Sequence, residues 1–121
     1  MPLRCLLVDD NDAFLETARD LLEREDMQVV GMASNIAGAL RQVRALRPDI
    51  ILVDIGLGEE SGFDLARLLA VDGDGSAPVI LISMSAEADY ADLIAESPAA
   101  GFLPKPALSA RGIGQILGRT P

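Results

Sequence analysis

Ile50-Ile51-Leu52-Val53-Asp54 sets four large aliphatic residues in an unbroken row and ends them in a carboxylate. A row without polar alternation is the pattern of a strand covered on both faces, as in a parallel sheet. The carboxylate stands where such a strand leaves the core, the edge at which open α/β sheets bind ligands. An Asp after a single apolar run is turn chemistry. Its meaning depends on what the other segments bring to the same edge.

Working outward, four more runs have strand character. Leu3 to Val8 ends at Asp9-Asp10, Met27 to Met32 is rich in β-formers, Val79 to Ile82 ends at Ser83, and Gly101-Phe102-Leu103 leads into Pro104-Lys105-Pro106. Helical patterns separate them. Asn11 or Asp12 caps a helix with Phe14, Ala18, Leu21 and Leu22 on one face. Ser34-Asn35 caps a second, with Ile36, Leu40 and Val43 inward and Pro48 at its end. Ile55 to Ser61 is a Gly- and Glu-rich loop, and Gly62 to Val71 is the third helix. Asp72-Gly73-Asp74-Gly75-Ser76 superficially resembles a calcium loop, but its Gly and distal Glu are misplaced, so it reads as a turn. Ser85 is the expected cap of a helix running to about Glu96. The last helix, from about Leu108, contains Gly112 and Gly114, each costing about 1 kcal/mol relative to Ala. Five strands alternating with five helices predict one α/β domain over 1–121: a three-layer, doubly wound (βα)5 parallel sheet with right-handed crossovers.

The chain has 121 residues, enough to bury roughly two thirds of its unfolded surface without disulfide or metal staples. Half the residues are hydrophobic, yet no apolar run approaches the ~18 residues of a membrane span. The N-terminus enters a strand without a cleavage site, so a cytoplasmic location is expected and no membrane partner. Cys5 reads as a small core residue. A net charge of −9 argues against direct nucleic-acid binding. There is no histidine, which removes Ser/His/Asp catalysis and His-based metal sites. Lys105 is the sole lysine beside nine arginines, and an ammonium is a compact point charge where a guanidinium is a planar fork.

A parallel sheet presents every strand's C-terminal end at one edge. Asp9, Asp10, Asp54, Ser83 and Lys105 are thereby expected on one rim, from four separate segments. Carboxylates about 4 Å apart repel by roughly 4 kcal/mol per pair at an effective dielectric of 20, so three cannot share a site without a cation. Oxygen-only ligands suit a hard cation such as Mg²⁺. A metal beside a carboxylate and a lysine fits phosphoryl transfer, with the carboxylate as the nucleophile that forms an acyl phosphate. Ser83 could donate to a phosphoryl oxygen.

Leu6-Leu7-Val8-Asp9-Asp10, Leu52-Val53-Asp54-Ile55, the helix-opening Gly62, Ser83 and Gly101-Phe102-Leu103-Pro104-Lys105-Pro106 together resemble a bacterial two-component response-regulator receiver domain. The resemblance covers essentially the whole chain. It implies a flavodoxin-like sheet of strand order 2-1-3-4-5 and a phosphoryl group accepted on Asp54 from a sensor histidine kinase or phosphotransfer protein. It implies Mg²⁺ held by Asp10, Asp54 and the Gly56 carbonyl, with Asp9 helping directly or through water. Lys105 would pair with the phosphoryl group, and the Lys105–Pro106 peptide is expected to be cis, which proline permits. Ser83 and Phe102 would be the switch residues, Ser83 moving to the phosphoryl oxygen and Phe102 turning inward. The change would appear on the face of helix 4, strand 5 and helix 5. That face would serve a downstream protein, a fused output domain such as that of a transcriptional regulator, or a homodimer.

Three departures from the family pattern stand out. Leu57-Gly58 replaces a Pro-containing step after the acceptor, so a more flexible loop is expected. Gly56 replaces a larger side chain, and Pro98 a common Gly. An Mg²⁺-dependent phosphatase with an aspartyl nucleophile is disfavoured, because no Asp-x-Asp signature surrounds Asp54 and no substrate-covering cap is encoded. A degenerate receiver acting only as a scaffold is disfavoured by the full set of polar rim residues. The expectation is a signalling module that assists its own phosphorylation and dephosphorylation, not an enzyme acting on an external substrate.

Overall fold

Five strands form one parallel sheet in the computed structural model, which describes residues 2–71, 77–85 and 87–118. They are β1 (Arg4–Val8), β2 (Gln28–Ala33), β3 (Ile50–Asp54), β4 (Val79–Ser83) and β5 (Gly101–Pro104). Their spatial order is β2-β1-β3-β4-β5, the expected 2-1-3-4-5 arrangement. The helices are α1 (Asp12–Arg24), α2 (Ile36–Leu46), α3 (Gly62–Val71), α4 (Ala91–Glu96) and α5 (Ala110–Ile116). The expected turn over Asp72–Ser76, the residues beyond Gly118 and Ala86 in the expected fourth helix lie outside the described residues.

The apolar rows are unbroken because both faces of the sheet are covered. Leu6, Val8, Ile51, Val53, Leu81 and Phe102 pack on the side of α2 and α3. Cys5, Leu7, Ile50, Leu52, Ile80 and Ile82 pack on the side of α1 and α5. Successive residues thus alternate between two cores, the period-2 geometry of a strand. Burial pushes the Cys5 thiol up to about 12, so it stays a neutral core group rather than a nucleophile.

Side-chain caps set most helix starts. Asn11 Oδ1 accepts from Phe14 N–H at 3.1 Å, Asn35 Oδ1 from Gly38 N–H at 2.7 Å, and Ser109 Oγ from Gly112 N–H at 2.9 Å. The fourth helix differs from expectation. Ser85 does not cap it: its own N–H donates to Ser83 Oγ at 3.0 Å. A 3-10 turn at Glu87–Tyr90 comes first, and α4 follows with no side-chain cap and no fully buried residue. It ends at Ser97, whose extended backbone (ψ 157°) is the conformation a residue before Pro98 prefers.

Two further expectations are corrected. Gly56–Leu57 and Glu60–Ser61 pair as a short antiparallel hairpin instead of an open loop. Gly58 has φ +67° while Glu59 has none in the positive range, the type II′ pattern that wants Gly first in a two-residue turn. The Lys105–Pro106 bond is trans, as no described peptide bond is cis. Lys105–Ala107 forms a 3-10 turn, and Pro at its start supplies a φ already suited to it.

Gly62 begins α3 against the backbone of β3. Its N–H donates to Ile55 O at 2.7 Å, and a Cβ here would run into the carbonyl of Asp54. Backbone cannot swing aside as a side-chain tip can. Gly62→Ala is therefore expected to destabilise the fold by about 2–3 kcal/mol, read from urea unfolding. A loss under about 0.5 kcal/mol would mean that the α3 entry yields easily.

Candidate functional site

The C-terminal ends of β1, β3 and β5 bring the predicted groups together. Asp9 follows β1, Asp54 ends β3, and Lys105 directly follows β5. Lys105 Nζ lies 2.7 Å from Asp9 Oδ2 and 3.0 Å from Asp54 Oδ2, its side chain only 7% exposed. Asp9 is fully buried, whereas Asp10 is exposed. Asp9 Oδ1 accepts from Asn11 N–H at 2.9 Å, and Asp54 Oδ1 from Gly56 N–H at 3.1 Å. These turn hydrogen bonds fix both carboxylates on the rim.

The electrostatics follow from this crowding. Burial raises the Asp9 pKa, and the Asp54 charge pushes the same way; Lys105 and the Asn11 N–H oppose them without winning. Burial alone would lower the Lys105 pKa, but ion pairs to Asp9 and Asp54 outweigh it, leaving the ammonium above the usual lysine value. Lys105 is therefore charged throughout the physiological range. Asp9 has a raised folded-state pKa, so the native state holds its proton more tightly than the unfolded chain does. Stability then falls as pH rises from the ordinary carboxylate value through the folded value. Asp9→Asn removes that penalty. Without metal, the stability of this variant relative to the native chain is expected to increase as pH rises through that window, read from urea midpoints at a series of pH values. A difference constant with pH would rule out the Asp9 carboxylate as its source.

Three carboxylate oxygens, one each from Asp9, Asp10 and Asp54, lie within 4.8 Å of one another. Asp9 Oδ2 is buried and, although ion-paired to Lys105, has no hydrogen-bond donor aligned on it. A buried carboxylate oxygen with spare capacity beside two more oxygens is a donor set that a hard divalent cation fits. Gly56 leaves its side free, with nothing within 4 Å of where a Cβ would stand.

The remaining predicted residues sit at the same end or beneath it. Ser83 ends β4, one residue past the Ile82 that pairs with Asp54, and is buried with its Oγ accepting from Ser85 N–H. Phe102 pairs in register with Leu81 and is already buried in the α2–α3 core. Tyr90 is half-buried, its ring 6.3 Å from that of Phe63 at an interplanar angle of 50°. Sequence reasoning missed the second role of Phe14. The helical periodicity gives it only as an apolar residue of α1, yet the Lys105 ammonium stands 4.2 Å from its ring centroid, within cation–π range. An aromatic one helical turn after the acidic pair was the available signal.

The sequence profile of the response regulator receiver domain matches residues 5–116. The chain is 33% identical over 108 residues to a protein-glutamate methylesterase/protein-glutamine glutaminase of Nocardioides, an alignment covering 87% of this chain and 29% of that protein. It is 34% identical over 110 residues to the DNA-binding response regulator MtrA of Mycolicibacterium smegmatis, covering 88% of this chain and 45% of that one. It thus spans less than half the length of either relative. Among solved structures, a two-component response regulator of the LuxR family from Aurantimonas superposes with a TM-score of 0.86 at 30% identity, over 98% of this chain and 87% of that one.

Proposed function

The chain belongs to the response-regulator receiver domains of two-component systems, and on that premise we propose that Asp54 is the carboxylate that accepts the phosphoryl group. The observation that carries this reading is the single ammonium of Lys105 held between Asp9 and Asp54 at the end of the central strand. An Asp54 oxygen attacks the phosphorus of a phosphohistidine on a sensor histidine kinase or phosphotransfer protein. The P–N bond breaks, its electron pair stays on the departing imidazole, which takes up a proton, and an acyl phosphate remains on Asp54. Water later splits that bond, releasing phosphate and restoring the carboxylate.

Asp9, Asp10, Asp54 and the backbone carbonyl of Gly56 are the proposed holders of Mg²⁺. When bound, the cation neutralises charge on the phosphoryl oxygens. Lys105 pairs with the incoming group at one side, and its charge needs no proton movement to serve. Ser83 gives up its bond from the Ser85 N–H and turns its hydroxyl to a phosphoryl oxygen. Phe102 holds the core beneath the space that Ser83 leaves. The change is read out on α4, β5 and α5, where a downstream protein, a fused output domain or a second copy of the chain docks. MtrA is a DNA-binding regulator, and by analogy this chain serves as the receiver part of a transcriptional regulator. The chain itself is a cytoplasmic switch without turnover on an external substrate and without direct nucleic-acid contact. Among the described residues no helix is long and apolar enough to cross a membrane.

The test is the intact mass of the native chain after incubation with Mg²⁺ and acetyl phosphate. One added phosphoryl group, labile to hydroxylamine and mapped to the peptide containing Asp54, is expected. An adduct that survives hydroxylamine, or none with either acetyl phosphate or beryllofluoride, overturns the reading in favour of a binding scaffold.

A further inference from the structure

The hairpin after Asp54 is tied to a distant helix. Ile36 N–H, at the first position of α2, donates to Glu60 Oε1 at 2.8 Å across 24 residues of sequence. Asn35 already serves the Gly38 N–H, so Glu60 satisfies a second of the amides that a helix start leaves open. A carboxylate is favoured there by the helix dipole as well. Glu60 pairs with Leu57, and the adjacent Ser61 pairs with Gly56. Leu57 is anchored in the core, but Gly56 is exposed and has no side chain with which to hold its own place. Apart from its N–H, which donates to Asp54 Oδ1 at 3.1 Å, its position is inherited from the hairpin, and the hairpin is fastened at one end by Glu60.

We infer that Glu60 is a positioning residue, whose bond to α2 holds the Gly56 backbone where the cation binds. The inference rests on the metal site proposed above. The chain holds this loop with a II′ turn at Gly58 and a carboxylate strap to α2. The strap works through Gly56 and touches neither phosphoryl group nor metal.

Glu60→Ala removes the acceptor, while Glu60→Gln keeps an oxygen at the same reach. Ile36→Pro removes the donor from the other side. Proline suits the first helical position, and Asn35 before it is extended (φ −153°, ψ 171°), the conformation a residue preceding proline adopts. Mg²⁺ affinity of the full chain would be measured by calorimetry at fixed ionic strength, beside the metal-free unfolding midpoint. Metal-orienting residues outside the ligand set typically change affinity by about 10–100-fold. Because this strap is exposed, Glu60→Ala is expected at the low end, about tenfold weaker. Glu60→Gln should stay near the native value, and Ile36→Pro should weaken binding like Glu60→Ala, with no further loss in the double variant. The slower phosphorylation of Glu60→Ala should recover at saturating Mg²⁺. If Glu60→Ala lowers the midpoint but leaves Mg²⁺ affinity unchanged, Glu60 is only a helix cap and the inference fails. Additive losses in the double variant overturn it too. A native chain that binds no Mg²⁺ overturns the metal site itself and the inference with it.

Discussion

Asp54→Asn is expected to abolish the gain of a phosphoryl group from acetyl phosphate while leaving the metal-free fold at least as stable as the native one. The first half follows from the chemistry, because an amide oxygen is no nucleophile for acyl phosphate formation. The second half follows from crowding. Asp9, Asp10 and Asp54 place three carboxylate oxygens within 4.8 Å of one another, with one ammonium among them. At full ionisation this cluster carries two negative charges in excess. Removing one carboxylate relieves repulsion against two others and forfeits one attraction, to Lys105. The same subtraction takes away one of the proposed ligands of the cation, so the rise in unfolding midpoint expected of the native chain with Mg²⁺ should largely vanish in the variant. Intact mass and urea unfolding with and without Mg²⁺ read both halves. A hydroxylamine-labile adduct on the variant would place the acceptor on another carboxylate. A metal-free loss above about 1 kcal/mol would mean that the Asp54–Lys105 pair outweighs the repulsion.

The parts of the chain that could be read directly are those whose cause is local. Strands such as Ile50–Asp54 and Val79–Ser83 are rows of aliphatic residues because two cores need them, so both the strand and its double covering are written in four consecutive letters. Asn11 and Asn35 announce helix starts because a cap acts within three residues, whereas the last helix, expected from about Leu108, begins at Ala110 behind the Ser109 cap. The rim of Asp9, Asp54 and Lys105 was legible because a parallel sheet points every strand end the same way. What could not be read depends on contacts made elsewhere. The fourth helix begins as a 3-10 turn because nothing on it is fully buried to enforce an α start. The trans bond before Pro106 replaces the expected cis one, since a 3-10 turn continues the chain here. In the sequence Glu60 is one acid within the Gly- and Glu-rich stretch Ile55 to Ser61. Only folding brings it to Ile36, and no local pattern records a partner 24 residues away.

Lys105→Ala should slow phosphoryl transfer to Asp54 by about 100–1000-fold, the usual consequence of removing one preorganised donor from a developing oxyanion. It should at the same time tighten Mg²⁺ binding. In the native chain the ammonium is already paired with Asp9 and Asp54 and offsets part of their charge, and a cation must share those oxygens with it. Taking the lysine away leaves the carboxylates more negative and freer to bind metal, yet removes the charge proposed to meet the phosphoryl group. Weaker transfer with stronger metal binding is a combination that general unfolding cannot produce. Metal-free stability should fall, because Asp9 is fully buried and loses its ion-pair partner; breaking such a pair costs about 3–5 kcal/mol unless the survivor takes a proton. Acidification should therefore recover part of the loss, and Mg²⁺ should recover more. Lys105→Arg restores the charge but not the shape: the ammonium sits between two carboxylates and 4.2 Å from the centre of the Phe14 ring, with little room for a longer planar fork. Its rate should stay within about tenfold of the alanine variant, well below native. The native lysine can be watched directly. Being the only one in the chain, it gives a single ε-carbon resonance under selective labelling, and that signal should shift when beryllofluoride is added with Mg²⁺. Transfer by Lys105→Ala within a few-fold of native, or a resonance that ignores beryllofluoride, would remove Lys105 from the reaction and leave it a structural ion-pair partner of Asp9.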